Sequence, residues 1–144
     1  NMDILQSGME MKGHLTIALN GEVVQEVDNL VVTAGKGFVA SRMAGTSANV
    51  MSHMAIGTGS TAASASDTAL GSEAARTALT STNVSGAVVT YVDTFAAGTG
   101  TGAITEAAIL NASSGGTMLC RTVFSVVNKG ASDSMTITWT VTAS

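Results

Sequence analysis

The chain has 144 residues, 45% hydrophobic, 11% charged and 3% aromatic, with a net charge of −4. That length and apolar content fit one folded domain and exclude wholesale disorder. Six basic residues scattered along an acidic chain exclude the clustered Lys/Arg surface that grips nucleic acid.

Elements follow in chain order. "NMDILQSGMEMKG" lacks a basic n-region and an apolar h-region, so it does not read as a signal peptide. It reads as a flexible arm over residues 1–13, free or ordered on a partner. Residues 14–144 read as one β-sandwich domain. Leu15, Ile17 and Leu19 alternate with Thr16 and Ala18, a strand pattern. Asn20-Gly21 is a strong two-residue hairpin signal, and "EVVQEV" is the return strand. A turn is expected at Asp28-Asn29 before "NLVV" extends the sheet. "TAGKGFVASRMAG" predicts one short helix over residues 34–44, capped by Thr33 and ended by Gly45. Phe38, Val39 and Met43 share one side of it, with Lys36 and Arg42 pointing outward.

"SHMAIGTG" reads as a short buried strand and "STAASASDTALGSE" as a long polar loop. A second hairpin runs through "TALTSTNVSGAVVTYVDTFAAG", turning at Ser85-Gly86. "GTGTG" is a connection, and "AITEAAILNA" is a strand with Ile104, Ala107 and Ile109 apolar. "TMLCRTVFSVV" is nearly continuous in apolar residues and predicts the centre of a sheet. "SMTITWTVT" has the cleanest alternation: Met135, Ile137, Trp139 and Val141 on one face, threonines on the other. Short strands with frequent Gly, Asn and Ser turns predict a mainly β protein, an antiparallel sandwich or jelly-roll-like barrel. Ile56, Phe95, Ile109, Phe124, Ile137 and Trp139 are the expected core.

With Pro absent and aromatics scarce, the core is built from small aliphatic residues and methionine. Burial returns about 25 cal/mol per Å², so neighbouring subunits are expected to contribute. The charged fraction is far below the usual ~25%. A surface of Ser, Thr, Asn, Gly and Ala is adhesive and suits a permanent assembly. Cys120 is the single cysteine, so no intrachain disulfide forms. No run approaches the ~18 apolar residues of a membrane span.

Signals for chemistry are sparse. Gly57-Thr58-Gly59 lacks the third glycine and following helix of a dinucleotide fingerprint, and no Gly-Lys-Ser/Thr occurs. His14 and His53 would need further converging ligands to hold a metal. No metal or cofactor is expected. Cys120 lies in an apolar strand and reads as core rather than nucleophile. Asn83-Val84-Ser85 and Asn111-Ala112-Ser113 match the glycosylation pattern, as chance matches at turns. Glu106 interrupts an apolar strand, so if buried it needs an Arg or backbone donors. Arg76 and Arg121 are the candidates. Glu73 and Arg76 can pair at i, i+3. The expectation is that Arg76 meets Glu73 or Glu106 and pins the polar loop to the sheet. Glu73 with Glu106 has the residue types of a glycosidase acid pair, although few aromatics are present to hold a sugar.

Taken in order, "HMAIGTG", a Ser/Thr/Ala loop, "LGSE" with Arg76, "ITEAAILN" and a final Thr-rich strand resemble small structural proteins of tailed bacteriophages. The likeness covers roughly residues 29 to 142. It implies a non-enzymatic virion component, assembled in the host cytoplasm, with no catalytic residues. A looser likeness is to the attachment domain of tail-collar fibres. A fibre needs a long shaft, and this sequence stops at Ser144. The resemblance therefore implies a capsid decoration (cement) protein stabilising the outer shell. A tail or baseplate adaptor is the alternative, and a carbohydrate-binding adhesion module using Trp139, Tyr91 and Phe95 is a third. Its expected partners are further copies of itself and virion proteins such as the major capsid protein, with no direct nucleic-acid or membrane contact.

Overall fold

The computed structural model describes residues 10–45 and 48–144. Its elements are β1 (Met11–Leu19), β2 (Glu22–Leu30), α1 (Thr33–Met43), β3 (His53–Gly57), β4 (Glu73–Ala78), β5 (Ser81–Ser85), β6 (Val88–Phe95), β7 (Gly102–Leu110), β8 (Met118–Lys129) and β9 (Met135–Ala143). They form a sandwich of two antiparallel sheets, ordered β2-β1-β9-β6-β5 and β4-β3-β7-β8. No described helix is long and apolar enough to cross a membrane.

The β1–β2 hairpin turns at Asn20-Gly21, with φ of 52° and 84°. Positive φ at both central residues is what a two-residue hairpin turn demands. β9 pairs β1 on one side and β6 on the other. Alternation therefore sends Met135, Ile137, Trp139 and Val141 into the core. There they meet Leu15 and Ile17 from β1, and Met54, Ile56, Ile104 and Ile109 from the other sheet. Ile56, Phe95, Ile109, Ile137 and Trp139 are fully buried, and Phe124 nearly so.

Six expectations change. β1 begins at Met11, and Glu10 exchanges backbone hydrogen bonds with Ser144 at 2.7 and 2.9 Å. Residues 10–13 thus extend the sheet rather than an arm, while residues 1–9 lie outside the described residues. β2 runs straight through Asp28-Asn29 without turning. Pairing explains this: Asp28 faces His14 across the ladder, and Asn29 Oδ1 accepts from Trp139 Nε1 at 3.2 Å.

Thr33 is the first helical residue, not the cap. Val32 holds the cap position with extended dihedrals and no side-chain cap bond. The Thr33 N–H instead donates to Ala65 O of the long loop, at 2.8 Å. Gly45 follows the helix with φ of 71°, as expected of a left-handed terminator. Met43 is 75% exposed rather than packed. α1 approaches β8 through Gly35, where any Cβ would collide with the Leu119 carbonyl.

Residues 73–78 form a strand instead of loop and hairpin. β4 pairs with β3 in one sheet, and the chain then crosses at Leu79-Thr80 so that β5 joins β6 in the other. Finally, β8 lies at the end of its sheet, not the centre. Its long apolar run reflects burial on both faces, one against the core and one beneath α1 and the loop.

Candidate functional site

The outer face of the four-stranded sheet holds the densest polar cluster. Glu106 on β7 lies opposite Gly57 on β3 and Val123 on β8. Arg121 lies opposite Ala108. Two residues further along each strand is the same face, so Glu106 and Arg121 meet diagonally. The loop of residues 58–72 arches over both.

Glu106 is fully buried. Its Oε2 accepts from the Gly59 and Ser72 N–H groups at 2.8 and 2.7 Å. Its Oε1 accepts from the Gly71 N–H at 2.8 Å and from Arg121 Nε and Nη2 at 3.1 and 3.0 Å. Arg121 also donates to Asp67 Oδ2 at 2.8 Å and to the Thr61 carbonyl at 2.9 Å. Thr105 Oγ1 donates to the Gly59 carbonyl at 2.7 Å. Burial alone would raise the Glu106 pKa. The Ser72, Gly71 and Gly59 N–H groups, with Arg121, outweigh it and hold the carboxyl below its ordinary value. Asp67 is also held low, by the Ser64 N–H and by Arg121.

This geometry explains the Gly-Thr-Gly sequence. The glycine loop does cradle an anion, and the anion is the chain's own Glu106 carboxylate. A Cβ on Gly59 would sit 2.5 Å from Glu106 Oε2, and one on Gly57 would meet the same oxygen at 2.5 Å. Both glycines are there so the backbone can come close. Five donors saturate the Glu106 carboxylate, which leaves it no lone pair for a substrate. That removes it from any glycosidase acid pair.

Arg76 does not reach this cluster. Its Nη2 and Nε donate to Glu73 at 2.8 and 3.1 Å, and its Nη1 donates to the Ala112 and Gly115 carbonyls, both at 2.9 Å. Arg76 thus meets Glu73 but pins the turn after β7, while Arg121 with Glu106 pins the long loop. Asp67 escaped the sequence reading because nothing distinguishes it from other polar loop residues. Asp93 escaped too, although the alternation of β6 puts it on the inward face between Tyr91 and Phe95. It is buried and accepts from Thr77 Oγ1 at 2.5 Å, tying β4 to β6 across the sandwich. Burial raises its pKa, against opposing hydrogen bonds from Thr77, Thr94 and Thr80.

The remaining candidates are apart. His14 sits half-exposed between Asp28 at 2.6 Å and Glu26 at 3.3 Å, and Asp28 above all raises its pKa. His53 Nδ1 meets Ser52 Oγ at 2.8 Å. Among the described residues no group of His, Cys, Asp and Glu is placed to hold a metal ion. Cys120 is buried, and burial pushes its thiol pKa far up. Lys129 is buried and donates to the Ala96 carbonyl at 2.9 Å. Asn111 is engaged by Asn49 O and the Thr117 N–H, whereas Asn83 is exposed.

Two surface features complete the picture. α1, the loop and β8 enclose an open groove of about 800 Å³, with Val32, Val39, Ala62, Ala65 and Thr122 in its walls. The outer face of the five-stranded sheet aligns Thr136, Thr138, Thr140 and Thr142 with Thr94, Val92, Thr90 and Val88 of β6. β1 adds Ala18, Thr16, His14 and Lys12 on the other side. Charge is confined to the Lys12, His14, Glu26 and Asp28 corner of this face.

Comparison with family models, with curated proteins and with solved structures finds no match for this chain.

Proposed function

We propose that the chain is a non-enzymatic structural protein of a tailed-bacteriophage virion. Within that class we favour a capsid decoration protein bound to the outer shell. The observation that carries this reading is the broad outer face of the five-stranded sheet, in which Thr, Val and Ala rows leave charge at one corner only. Such a face carries little charge to hold neighbouring molecules apart and suits a lasting contact. The order of motifs that resembles small phage structural proteins points the same way. The mechanism is mass action: binding the assembled lattice, and not its separated subunits, stabilises the lattice.

A tail or baseplate adaptor uses the same fold with different symmetry. A carbohydrate-binding module fares worse, because Trp139 and Phe95 are fully buried and Tyr91 is 8% exposed. None of the three offers a ring to stack on sugar. Quantitative mass spectrometry of purified particles, with cryo-EM, is the test. Copies in proportion to the capsid lattice support decoration. A handful of copies at the tail overturns it in favour of the adaptor. Absence from particles overturns the virion reading.

A further inference from the structure

We propose that β5 is a self-pairing edge, through which two copies of this chain join antiparallel into one continuous ten-stranded sheet. The argument begins with the four strands that end the sheets. β2, β5, β4 and β8 each stand last in their sheet order. An end strand presents unpaired N–H and C=O groups to solvent, and folded proteins guard such edges with charge, bulges or covering segments.

Three of the four are guarded here. β2 carries Glu22, Glu26 and Asp28, is bulged against β1 at Ile17/Ala18, and is tied across the sandwich by Gln25 Nε2 donating to Ser125 O. β4 carries Glu73 and Arg76 and is bulged against β3. β8 is covered at its start by the Val31–Cys120 bridge, the Val32 N–H to Leu119 O bond at 3.2 Å and α1, and further along Gln25 of β2 reaches Ser125 O beside the 51% exposed Val126.

β5 has none of these devices. Ser81, Thr82, Asn83, Val84 and Ser85 are all exposed. They pair with β6 residue for residue, without a bulge. No charged residue occurs from Thr77 to Val92. Val84 is 67% exposed, among the most exposed large apolar side chains of the described residues.

A second copy is the occupant that fits this strand. Self-pairing about a two-fold axis sets each residue against its mirror position. Centred on Asn83, it places Thr82 against Val84, Ser81 against Ser85, and the two Asn83 amides against each other. A charged edge would meet its own charge in such an arrangement, and this edge has none. The Asn83 side chain shares a face with Thr90 of β6, so pairing also doubles the low-charge outer face described above. Five residues of ladder make a small interface, below the standard ~1,600 Å², so isolated protein associates weakly. The proposal concerns the chain itself and stands whether or not the virion reading does.

The test is sedimentation velocity on the purified chain from about 1 µM to about 1 mM, with amide hydrogen exchange read at the same concentrations. Wild type is expected to dimerise as concentration rises, with protection growing at residues 81–85. Asn83→Lys sets two ammonium groups face to face and is expected to weaken dimerisation up to about fivefold, the scale of one adverse cross-strand pair. Mixing Asn83→Lys with Asn83→Glu is expected to restore association beyond either variant alone. Thermal melts confirm that both variants fold, and Val84→Lys is a second disrupting change at an exposed position. A wild type that stays monomeric throughout overturns the proposal. So does dimerisation unchanged in Asn83→Lys, or protection growing at another edge instead.

Discussion

Glu106→Gln separates a structural latch from an ordinary polar contact. Both carboxylate oxygens receive only donors: Gly59 and Ser72 N–H on one, Gly71 N–H and Arg121 on the other. A Gln side chain has the same shape, but its NH₂ must replace one of these oxygens. Either orientation sets N–H against N–H and orphans at least two donors. It also leaves the buried Arg121 with Asp67 as its only carboxylate. Breaking a buried ion pair by removing one partner costs about 3–5 kcal/mol. Two lost hydrogen bonds to a charged acceptor, at about 1.5–3 kcal/mol each, give the same range. With a urea m-value of about 2 kcal/mol/M, a loss of about 4 kcal/mol lowers the unfolding midpoint by about 2 M. Glu73→Gln is the control: that pair is exposed on the carboxylate side, Arg76 keeps its two carbonyl partners, and the expected cost is at most about 1 kcal/mol. Urea unfolding by circular dichroism measures both, and amide exchange at Gly59, Gly71 and Ser72 should accelerate in Glu106→Gln alone. A midpoint shift under about 0.5 M, or equal effects from the two variants, would refute the reasoning.

Further changes probe other parts of the same logic. Gly59→Ala thrusts a Cβ to 2.5 Å from Glu106 Oε2 and should cost about 1–3 kcal/mol in urea unfolding, whereas Gly37→Ala meets nothing within 4 Å and should stabilise by about 0.5–1 kcal/mol. Asp93 has a folded pKa above its unfolded one, so its ionisation weakens the fold as pH rises between the two values. Asp93→Asn should therefore compare best with wild type at neutral pH and lose ground as pH falls toward ~4; the opposite trend in melts across pH would contradict this. Glu106 runs the other way: its contribution is full above the ordinary carboxylate pKa and is lost as pH falls through its lowered folded value. The Cys120 thiol should resist a soluble thiol reagent until denaturant opens the fold; rapid labelling of native protein would show that β8 opens locally.

Alternation made the five-stranded sheet legible. "SMTITWTVT" and "HLTIAL" are each buried on one face only, so their period-2 patterns carry the fold directly. Asn20-Gly21 named its own turn for the same local reason. The four-stranded sheet was harder to read, because covering segments bury its outer face and erase the alternation. β8 thus looked central while standing at an edge. β4, "EAARTA", mixes charge with alanine and has no pattern at all, since it packs only partly on either side. The Glu106 requirement for an Arg or backbone donors could be stated from its apolar neighbours. The choice of Arg121 over Arg76 could not, because it depends on which strand lies beside β7 and on the face parity of its residues. That is a register fact.

The latch also explains how a loop of this composition holds one shape. Residues 58–72 are mostly Ser, Thr, Ala and Gly, and Leu70 is their single large apolar side chain. Small side chains contribute little burial, so hydrophobic packing cannot offset the backbone entropy of ordering so many residues. The three N–H groups on Glu106, the Arg121 bonds to Asp67 and Thr61, and the Thr33 bond to Ala65 supply fixed points along its whole length. A loop held this way presents an uncharged Ser/Ala surface already in its final form. Any partner docking on it would therefore lose less free energy to ordering it. The buried charge pair and the bland surface above it are therefore two parts of one solution: the charge lies underneath, where it fixes the shape of the loop.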